Sequence, residues 1–323
     1  KDRPLRNRAV QDIYSPGSTF KLITAIAGLA EGKIGEHSSV DCTGGMQFGN
    51  RRFRCWKTHG YVDFMRSIKE SCDVFYYQLG NTLGVDTIAK YARLFGFGSP
   101  TGLKVSSEQA GLIPDTLWKQ KQYNDIWHPG ETLSVAIGQG FVNVTPAQLA
   151  GAYAAIANGG FVYQPFLVRR IERRGGDILR EYQPELKRKI ELPEKVFDLV
   201  KKGLFQVVNE AGGTAHSARS KLTTIAGKTG TVQVRNYGAV IKKCESTDYY
   251  IRDHGWFVGY APATNPDIVV VALAEHTCHS IAAANVVKDV IDAHVRKQAE
   301  MNGTPIPETR QITSMPVHKE DEE

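Results

Sequence analysis

The chain has 323 residues, 41% of them hydrophobic and 23% charged, which is typical of a folded globular protein and excludes wholesale disorder. The formal net charge of +6 is mild, and no basic run is interleaved with aromatic residues as in an RNA-binding sheet, so we expect no nucleic-acid partner. No stretch approaches the roughly 20 apolar residues of a membrane-spanning helix.

Local signals in the first quarter of the chain predict a helix and a hairpin. Ser18 opens a run with helical periodicity that ends at Gly32. The segment from Asp41 to Cys55 has the pattern of a small hairpin that turns at Gly49-Asn50.

The middle of the chain is predicted to be mostly helical. Thr145 is a favourable N-cap, Pro146 suits the first helical position, and Asn158 precedes a Gly-Gly stop, so a helix is expected between them. The other elements predicted here are helices at 61–97 and 193–210 and a strand near 161–168.

Three late segments have strand character and are not separated by crossover helices. They are residues 222–234, 255–261 and 267–275, and a closing helix is predicted at 282–301. This order indicates an α+β protein with an antiparallel sheet and a separate helical lobe. We expect residues 1–14 to be a connector from a longer protein, 15–301 to form one domain, and the Pro-containing, acidic tail at 302–323 to be disordered.

A serine and a lysine lie three residues apart where the first long helix begins. Residues at this spacing share a helix face, so the Ser18 hydroxyl is expected beside the Lys21 amine. A lysine near another cation can accept the proton of a serine nucleophile. A capping serine with a solvated lysine is the alternative, and this pair alone does not exclude it.

Two further motifs complete a set suited to acyl transfer. Ser71-Cys72-Asp73 supplies a second hydroxyl and a carboxylate, and Lys228-Thr229-Gly230-Thr231 supplies a second amine in a strand-like run. The alternatives are an N-cap and a glycine-punctuated edge strand. The order and wide spacing of the three motifs together favour a covalent serine acyltransferase.

The three motifs resemble those of the penicillin-recognising serine acyltransferases, and the resemblance to class B penicillin-binding proteins extends from about residue 6 to 297. It includes Gly138-Gln139-Gly140, Gly213-Thr214-Ala215 and the block from Trp256 to Pro262. Asp73, where much of the superfamily has Asn, is similar to the elongation-type subgroup, penicillin-binding protein 2. The resemblance implies a penicillin-binding-protein/serine β-lactamase-like fold, with a five-stranded antiparallel sheet flanked by helices and an all-helical lobe.

The resemblance also implies a role for each motif residue in peptidoglycan D,D-transpeptidation. Ser18 would attack the penultimate D-Ala carbonyl of a stem peptide, and Lys21 would take its proton. The backbone N–H groups of Ser18 and Thr231 would hold the oxyanion beside Gly230. The remaining roles are a proton relay to the leaving D-Ala by Ser71 with Lys228, binding of the terminal carboxylate by Thr229 and Thr231, and orientation of Lys21 or the acceptor amine by Asp73.

Three cysteines and a histidine are spaced so that they can form one metal site. The predicted hairpin brings Cys42 near Cys55, His59 follows four residues later, and Cys72 lies within the second motif. Three thiolates and one imidazole form a closed zinc set. The resemblance supports His59 and Cys72 as ligands, with Cys42 and Cys55 where relatives carry Asp. A Cys42–Cys55 disulfide and a simply buried Cys72 remain alternatives.

Other functions compete with transpeptidation. A serine β-lactamase needs a deacylating base, for which Glu131 is the only loosely placed candidate. A D,D-carboxypeptidase and a non-catalytic β-lactam sensor or scaffold are further alternatives. Cys244 and Cys278 are expected to be neighbouring thiols or a disulfide. His216 and His254 are expected near the cleft rather than as ligands.

The partners and location follow from the resemblance. It implies stem peptides, β-lactams, a SEDS (RodA-type) glycosyltransferase and other elongation-complex proteins as partners. It also implies the periplasmic or extracytoplasmic face of the membrane, with an N-terminal anchor helix and pedestal that this chain lacks.

Overall fold

The helices dominate the computed structural model, which describes residues 4–105, 107–234 and 243–307. Most of the tail predicted to be disordered, residues 308–323, lies outside the described residues. The α-helices are α1 (Arg8–Gln11), α2 (Lys21–Ala30), α3 (Phe64–Lys69), α4 (Asp73–Leu83), α5 (Val85–Leu94), α6 (Thr116–Tyr123), α7 (Pro129–Ala136), α8 (Pro146–Ala157), α9 (Glu194–Asn209) and α10 (Ile281–Asn302).

The strands form one central sheet and four small two-stranded ladders in this part of the chain. They are β1 (Ser39–Cys42), β2 (Gly45–Phe48), β3 (Arg51–Arg54), β4 (Gly60–Asp63), β5 (Phe161–Gln164), β6 (Arg170–Glu172), β7 (Ile178–Glu181), β8 (Glu185–Lys189), β9 (Ala226–Val232), β10 (His254–Ala261) and β11 (Ile268–Ala274). The small ladders pair β1 with β4, β2 with β3, β5 with β8 and β6 with β7, all antiparallel.

The central sheet is antiparallel, with the order β11-β10-β9. Five strands were expected in this sheet, and three of them are present among the described residues. Thr231 lies opposite Gly255 and Leu273 lies opposite Trp256, so the third motif is on the strand at one edge. Trp256 is fully buried, because α8, α9 and α10 pack against the sheet.

The helical lobe is built around α2, whose residues from Lys21 to Gly28 are all buried. It packs against α4, α5 and α9, and α4 packs in turn against α7. A Cβ at Gly80 of α4 would lie 2.4 Å from that of Ala136, so these two helices pack as closely as a glycine allows.

Several local predictions are confirmed, and two need correction. The hairpin turns at Gly49-Asn50, and Thr145 caps α8 through the backbone N–H of Gln148. The helices predicted over 61–97 are present as α3, α4 and α5, but the first of them starts later than expected. Residues Gly60–Asp63 form β4, and Asp63 ends this strand by capping α3 at the backbone N–H of Arg66. The α-helix expected from Ser18 begins at Lys21, after a 3₁₀ turn at Gly17–Phe20.

Candidate active site

The first motif lies on a tight turn that leads directly into α2. Residues Gly17–Phe20 form a 3₁₀ turn in which the Lys21 backbone N–H donates to the Ser18 carbonyl. Side chains three residues apart are eclipsed in such a turn, so Ser18 and Lys21 share one face. Gly17 has a φ of +55°, a value suited to glycine, and its N–H donates to the Gly138 carbonyl over 2.9 Å.

Hydrogen bonds from distant elements hold this turn and the residues just before it. The Tyr153 hydroxyl donates to the Thr19 carbonyl at 2.9 Å, and the Trp256 indole N–H donates to the Ser15 carbonyl at 3.1 Å. Tyr153 is on α8 and Trp256 on β10, so the sheet and the helical layer both position the segment that carries Ser18.

The amine of Lys21 connects the first motif to the second. Its Nζ donates to the Ser71 carbonyl at 2.9 Å, to Ser71 Oγ at 3.2 Å and to Asp73 Oδ1 at 2.8 Å. Lys21 is fully buried and forms an ion pair with Asp73, whose side chain is 15% exposed. An ammonium group has three N–H donors, so all three have acceptors on the second motif.

Ser71 has a backbone conformation that is unusual for its residue type. It lies between α3 and α4 with a φ of +56°, a left-handed conformation that costs a non-glycine residue about 1–2 kcal/mol. The conformation is held by the Cys72 N–H, which donates to the Ser67 carbonyl, and by the start of α4 at Asp73. The turn thus presents both Ser71 Oγ and the Ser71 carbonyl to Lys21.

The third motif lies on β9, next to the turn of the first. A Cβ at Gly230 would lie 3.0 Å from the Pro16 carbonyl oxygen, and one at Gly17 would lie 3.0 Å from that of Thr231, so glycine allows this close approach. Lys228 is fully buried. Burial, and then the positive charge of Lys21, hold the pKa of Lys228 well below its usual value, while Asp73 opposes this shift.

Thr229 has a partner that the sequence reasoning did not identify as functional. Its hydroxyl lies 2.7 Å from that of Thr214, which belongs to the segment between α9 and β9. The only sequence signal was the resemblance of Gly213-Thr214-Ala215 to a family block, which gives no function for the threonine.

The four predicted metal ligands converge. The ligand atoms of Cys42, Cys55, His59 and Cys72 all lie within 4.8 Å of one another. The sulfur atoms of Cys42 and Cys55 each lie 3.5 Å from His59 Nδ1. Tetrahedral zinc with ordinary bond lengths sets sulfur and nitrogen about 3.6 Å apart, so these residues fit such an ion. Cys42 and Cys55 are free thiols and form no disulfide.

The cluster has the surroundings expected of a metal site. His59 Nε2, on the side of the ring away from the sulfurs, lies 3.3 Å from the Glu70 carbonyl oxygen, a contact that orients metal-binding imidazoles. A hydrogen bond from Cys72 holds the pKa of Cys55 well below its usual value, and the same contact raises the pKa of Cys72. The set therefore already favours a thiolate at Cys55.

The cluster also contacts the second motif directly. The Asp73 backbone N–H donates to Cys55 Sγ at 3.2 Å, and Cys72 lies between Ser71 and Asp73 in the sequence. Any group bound by the four residues would therefore hold the backbone that carries Ser71 and Asp73.

The sequence model described as "Penicillin binding protein transpeptidase domain" matches residues 1–292. The chain belongs to this family. It is 36% identical to the peptidoglycan D,D-transpeptidase MrdA of Haemophilus influenzae, across 96% of this chain and 49% of that protein. It is 32% identical to MrdA of Escherichia coli K12, across 90% of this chain and 46% of that protein.

Solved structures of family members have the same fold. Penicillin-binding protein 2 (PBP2) of Pseudomonas aeruginosa, in complex with WCK 5153, is 38% identical with a TM-score of 0.79, across 91% of this chain and 64% of that one. PBP2 of Helicobacter pylori, in a complex with MreC, is 29% identical with a TM-score of 0.78, across 93% and 52%. The predicted fold and the resemblance to PBP2 are confirmed. The chain spans about half the length of the curated relatives it matches.

Within this family fold, Glu131 has a structural role. Its carboxylate accepts hydrogen bonds from Lys119 Nζ at 2.6 Å and from the His128 backbone N–H at 3.1 Å, at the start of α7. Both carboxylate oxygens are thus engaged in an ion pair and a helix cap. This arrangement gives no support to Glu131 as the base of a β-lactamase.

The remaining cysteines and histidines lie apart from the cluster. Cys244 and Cys278 form a disulfide, one of the two expected outcomes. His254 pairs with Val232 at the end of β9, and its Nδ1 accepts the His276 backbone N–H. Burial, and then the charge of His276, lower the pKa of His254.

Proposed function

We propose that the chain is the catalytic domain of a peptidoglycan D,D-transpeptidase that cross-links stem peptides through a Ser18 acyl-enzyme and is inhibited by β-lactams. The observation that carries the proposal is the convergence of Lys21, Ser71 and Asp73 through three hydrogen bonds, beside the turn that holds Ser18. The relatives named peptidoglycan D,D-transpeptidase support the choice of reaction.

The acylation step depends on the three donors of Lys21. In the ammonium form, each N–H of Lys21 already has an acceptor and the nitrogen has no lone pair. Lys21 must therefore give one proton to an acceptor before its nitrogen can take the Ser18 proton. The Asp73 carboxylate, whose Oδ1 lies 2.8 Å from Lys21 Nζ, is the base in contact that can receive it. Ser18 Oγ then bonds to the carbonyl carbon of the penultimate D-Ala, its proton passes to Lys21 Nζ, and the π electrons of the C=O bond move to the carbonyl oxygen.

The oxyanion and the substrate carboxylate are held by the turn and by β9. The close approach of Gly17 to the Thr231 carbonyl brings the backbone of Ser18 beside that of Thr231, and their N–H groups would stabilise the oxyanion. Thr229 and Thr231 would bind the terminal carboxylate, with Gly230 between them allowing the close approach. One such oxyanion donor is worth about 3–4 kcal/mol of barrier.

The leaving group requires a proton, and the second hydroxyl can supply it. As the carbonyl re-forms and the C–N bond to the terminal D-Ala breaks, Ser71 would protonate the departing nitrogen. Lys21 would return the proton to Ser71, with buried Lys228 supporting it. The low pKa of Lys228 makes a proton on that amine readily transferable. Asp73 would then orient Lys21, or the acceptor amine of a neighbouring stem peptide, whose attack on the ester forms the cross-link.

We further propose that Cys42, Cys55, His59 and Cys72 hold a structural zinc ion. Zinc would supply no acyl-transfer chemistry and would join the hairpin region to the second motif. We expect about one zinc ion per chain when the metal content of the purified protein is measured by elemental mass spectrometry. Less than about one zinc per several chains, together with a Cys42–Cys55 disulfide, would end this part of the proposal.

The decisive test is the covalent adduct. We expect labelled penicillin to add one adduct that maps to Ser18 by peptide mass spectrometry, and we expect Ser18→Ala to form none. Thr82→Val, which removes an exposed helical hydroxyl, is the control and should react as the parent does. An adduct on the folded Ser18→Ala variant would refute the assignment. In a cross-linking assay, acylation without any cross-linked product would favour a β-lactam sensor instead.

The setting of the reaction is proposed from the relatives. Stem peptides outside the cytoplasm are the substrate, so the domain would act on the extracytoplasmic face during cell-wall elongation. The H. pylori relative forms a complex with MreC, and a further similar chain, 37% identical, comes from a peptidoglycan synthase complex that polymerises and cross-links. These neighbours support elongation-complex partners, among which we propose a RodA-type glycosyltransferase. Among the described residues, no helix has both the length and the apolar character needed to cross a bilayer.

A further inference from the structure

We propose that Thr214 is a positioning residue that turns the hydroxyl proton of Thr229 toward the carboxylate of the acyl donor. This inference rests on the proposed function, because it concerns how that substrate is bound. The supporting contact is the 2.7 Å separation of Thr214 Oγ1 and Thr229 Oγ1.

Thr214 lies on a segment that several backbone contacts hold rigidly. The Gly213 N–H donates to the Glu210 carbonyl, and the Ala215 N–H donates to the Val207 carbonyl, so the turn is attached to the end of α9. A Cβ at residue 213 would lie 2.3 Å from the Val207 carbonyl oxygen, so glycine is needed there. The Thr214 hydroxyl is therefore presented to β9 from a fixed backbone.

The chemistry of the site selects the direction of the hydrogen bond. Either hydroxyl can donate across 2.7 Å, but each has only one proton. If Thr229 donated to Thr214, it would present only lone pairs to an incoming carboxylate, which would repel it. If Thr214 donates to Thr229, the Thr229 proton is free to bind the carboxylate, and the bond is strengthened by the anion.

The same residue also contacts the segment of the second motif. The Thr214 backbone N–H donates to the Lys69 carbonyl at 3.3 Å, two residues before Ser71, and Lys69 Nζ forms an ion pair with Glu210 at 3.2 Å. Thr214 therefore joins the segment that holds Ser71 to the strand that binds the carboxylate. The backbone N–H of Thr214 makes the contact with Lys69, and its hydroxyl makes the contact with Thr229. A side-chain substitution therefore removes only the contact with Thr229.

The experiment compares two acyl donors that differ only in the carboxylate. One is a thioester analogue of a D-Ala-D-Ala donor with a free carboxylate, and the other is its methyl ester. We expect Thr214→Val to lower the second-order rate of Ser18 acylation by the free acid about ten-fold, because a hydrogen bond serving a charged group is lost. We expect the rate with the methyl ester to change less than two-fold and Thr214→Ser to behave as the parent does.

Further variants separate positioning from a structural role. Thr229→Val should lower the rate with the free acid at least as much as Thr214→Val, and the double variant should be no slower than Thr229→Val alone, because Thr214 acts through Thr229. Thr82→Val is the matched control for loss of a hydroxyl. If Thr214→Val is unfolded by circular dichroism, Thr214→Ala replaces it.

The outcomes decide the two proposals separately. An equal loss with both donors, no loss with the free acid, or an additive double variant overturns the role of Thr214 and leaves the acyltransferase intact. No acylation of the parent chain by either donor overturns the proposed function, and the role of Thr214 with it.

Discussion

Gly138 packs behind the 3₁₀ turn that carries Ser18, the proposed nucleophile, and is the position where one added methyl group should have the largest effect on the proposed reaction. Gly138 has a φ of +71°, and a Cβ placed there would lie 2.3 Å from the Gly17 carbonyl oxygen and 2.6 Å from Phe20 Cβ. Both contacted residues flank Ser18 on the same 3₁₀ turn. The substitution Gly138→Ala therefore pushes directly on the backbone that carries Ser18, the proposed nucleophile.

The expected magnitude has a stability part and a rate part. A left-handed φ costs alanine about 1 kcal/mol, and overpacking against fixed backbone adds about 1–3 kcal/mol, so the free energy of unfolding should fall by about 2–4 kcal/mol. Moving the Gly17 oxygen from 2.3 to 3.0 Å requires a shift of about 0.7 Å. Because a displacement near 1 Å costs on the order of 100-fold in rate, we expect Ser18 acylation to slow by about 10- to 100-fold.

Two other glycines separate the causes of this effect. Gly159 has a φ of +79° and no atom within 4 Å of a built Cβ, so Gly159→Ala should lose only the roughly 1 kcal/mol of backbone strain and keep its acylation rate. Gly151 lies within α8, has equally open space and lacks the positive φ, so Gly151→Ala should gain about 0.5–1 kcal/mol. Urea unfolding gives the stabilities, and a fluorescent penicillin gives the acylation rates.

Two results would contradict this prediction. A folded Gly138→Ala variant that acylates as fast as the parent would show that the turn does not depend on the close approach of Gly138. A Gly159→Ala variant with an equal loss of rate would assign the effect to backbone strain instead of to the contact with the nucleophile turn.

Three further predictions concern the metal cluster, pH and the buried support of the turn. Removal of the proposed zinc by a chelator, or Cys55→Ser, should slow acylation of Ser18, because Cys55 Sγ accepts the Asp73 N–H. Unchanged acylation in a folded, metal-free protein would contradict this coupling. The pKa of His254 is lower in the folded chain than in the unfolded one, so its contribution to stability is complete above about pH 6.5 and is lost as the pH falls below that value. The free energy of unfolding, measured with urea, should therefore fall less between pH 7.5 and pH 5 in His254→Gln than in the parent. Equal losses in the two proteins would contradict this prediction. Tyr153→Phe removes the buried hydrogen bond to the Thr19 carbonyl and should lower the free energy of unfolding by about 1–3 kcal/mol. An unchanged midpoint of urea unfolding would contradict this prediction.

The local elements could be predicted from the sequence because their causes lie within a few residues. The Gly49-Asn50 turn, the Thr145 cap and the strands β9, β10 and β11 each depend on neighbouring side chains and short-range periodicity. The helices predicted over 61–97 were wrong only at their start, where β4 depends on pairing with β1, about twenty residues earlier. Periodicity within a window does not contain that information.

The functional residues divide in the same way. The sequence by itself determined the three motifs, the family and the four candidate metal ligands, since residue type and order suffice for these. The tertiary structure decided that Lys21 has all its donors on the second motif, that Ser71 is left-handed, and that Thr214 reaches Thr229. These features depend on where separate helices and strands pack against one another, and that packing is fixed by the whole core and not by any local run of residues.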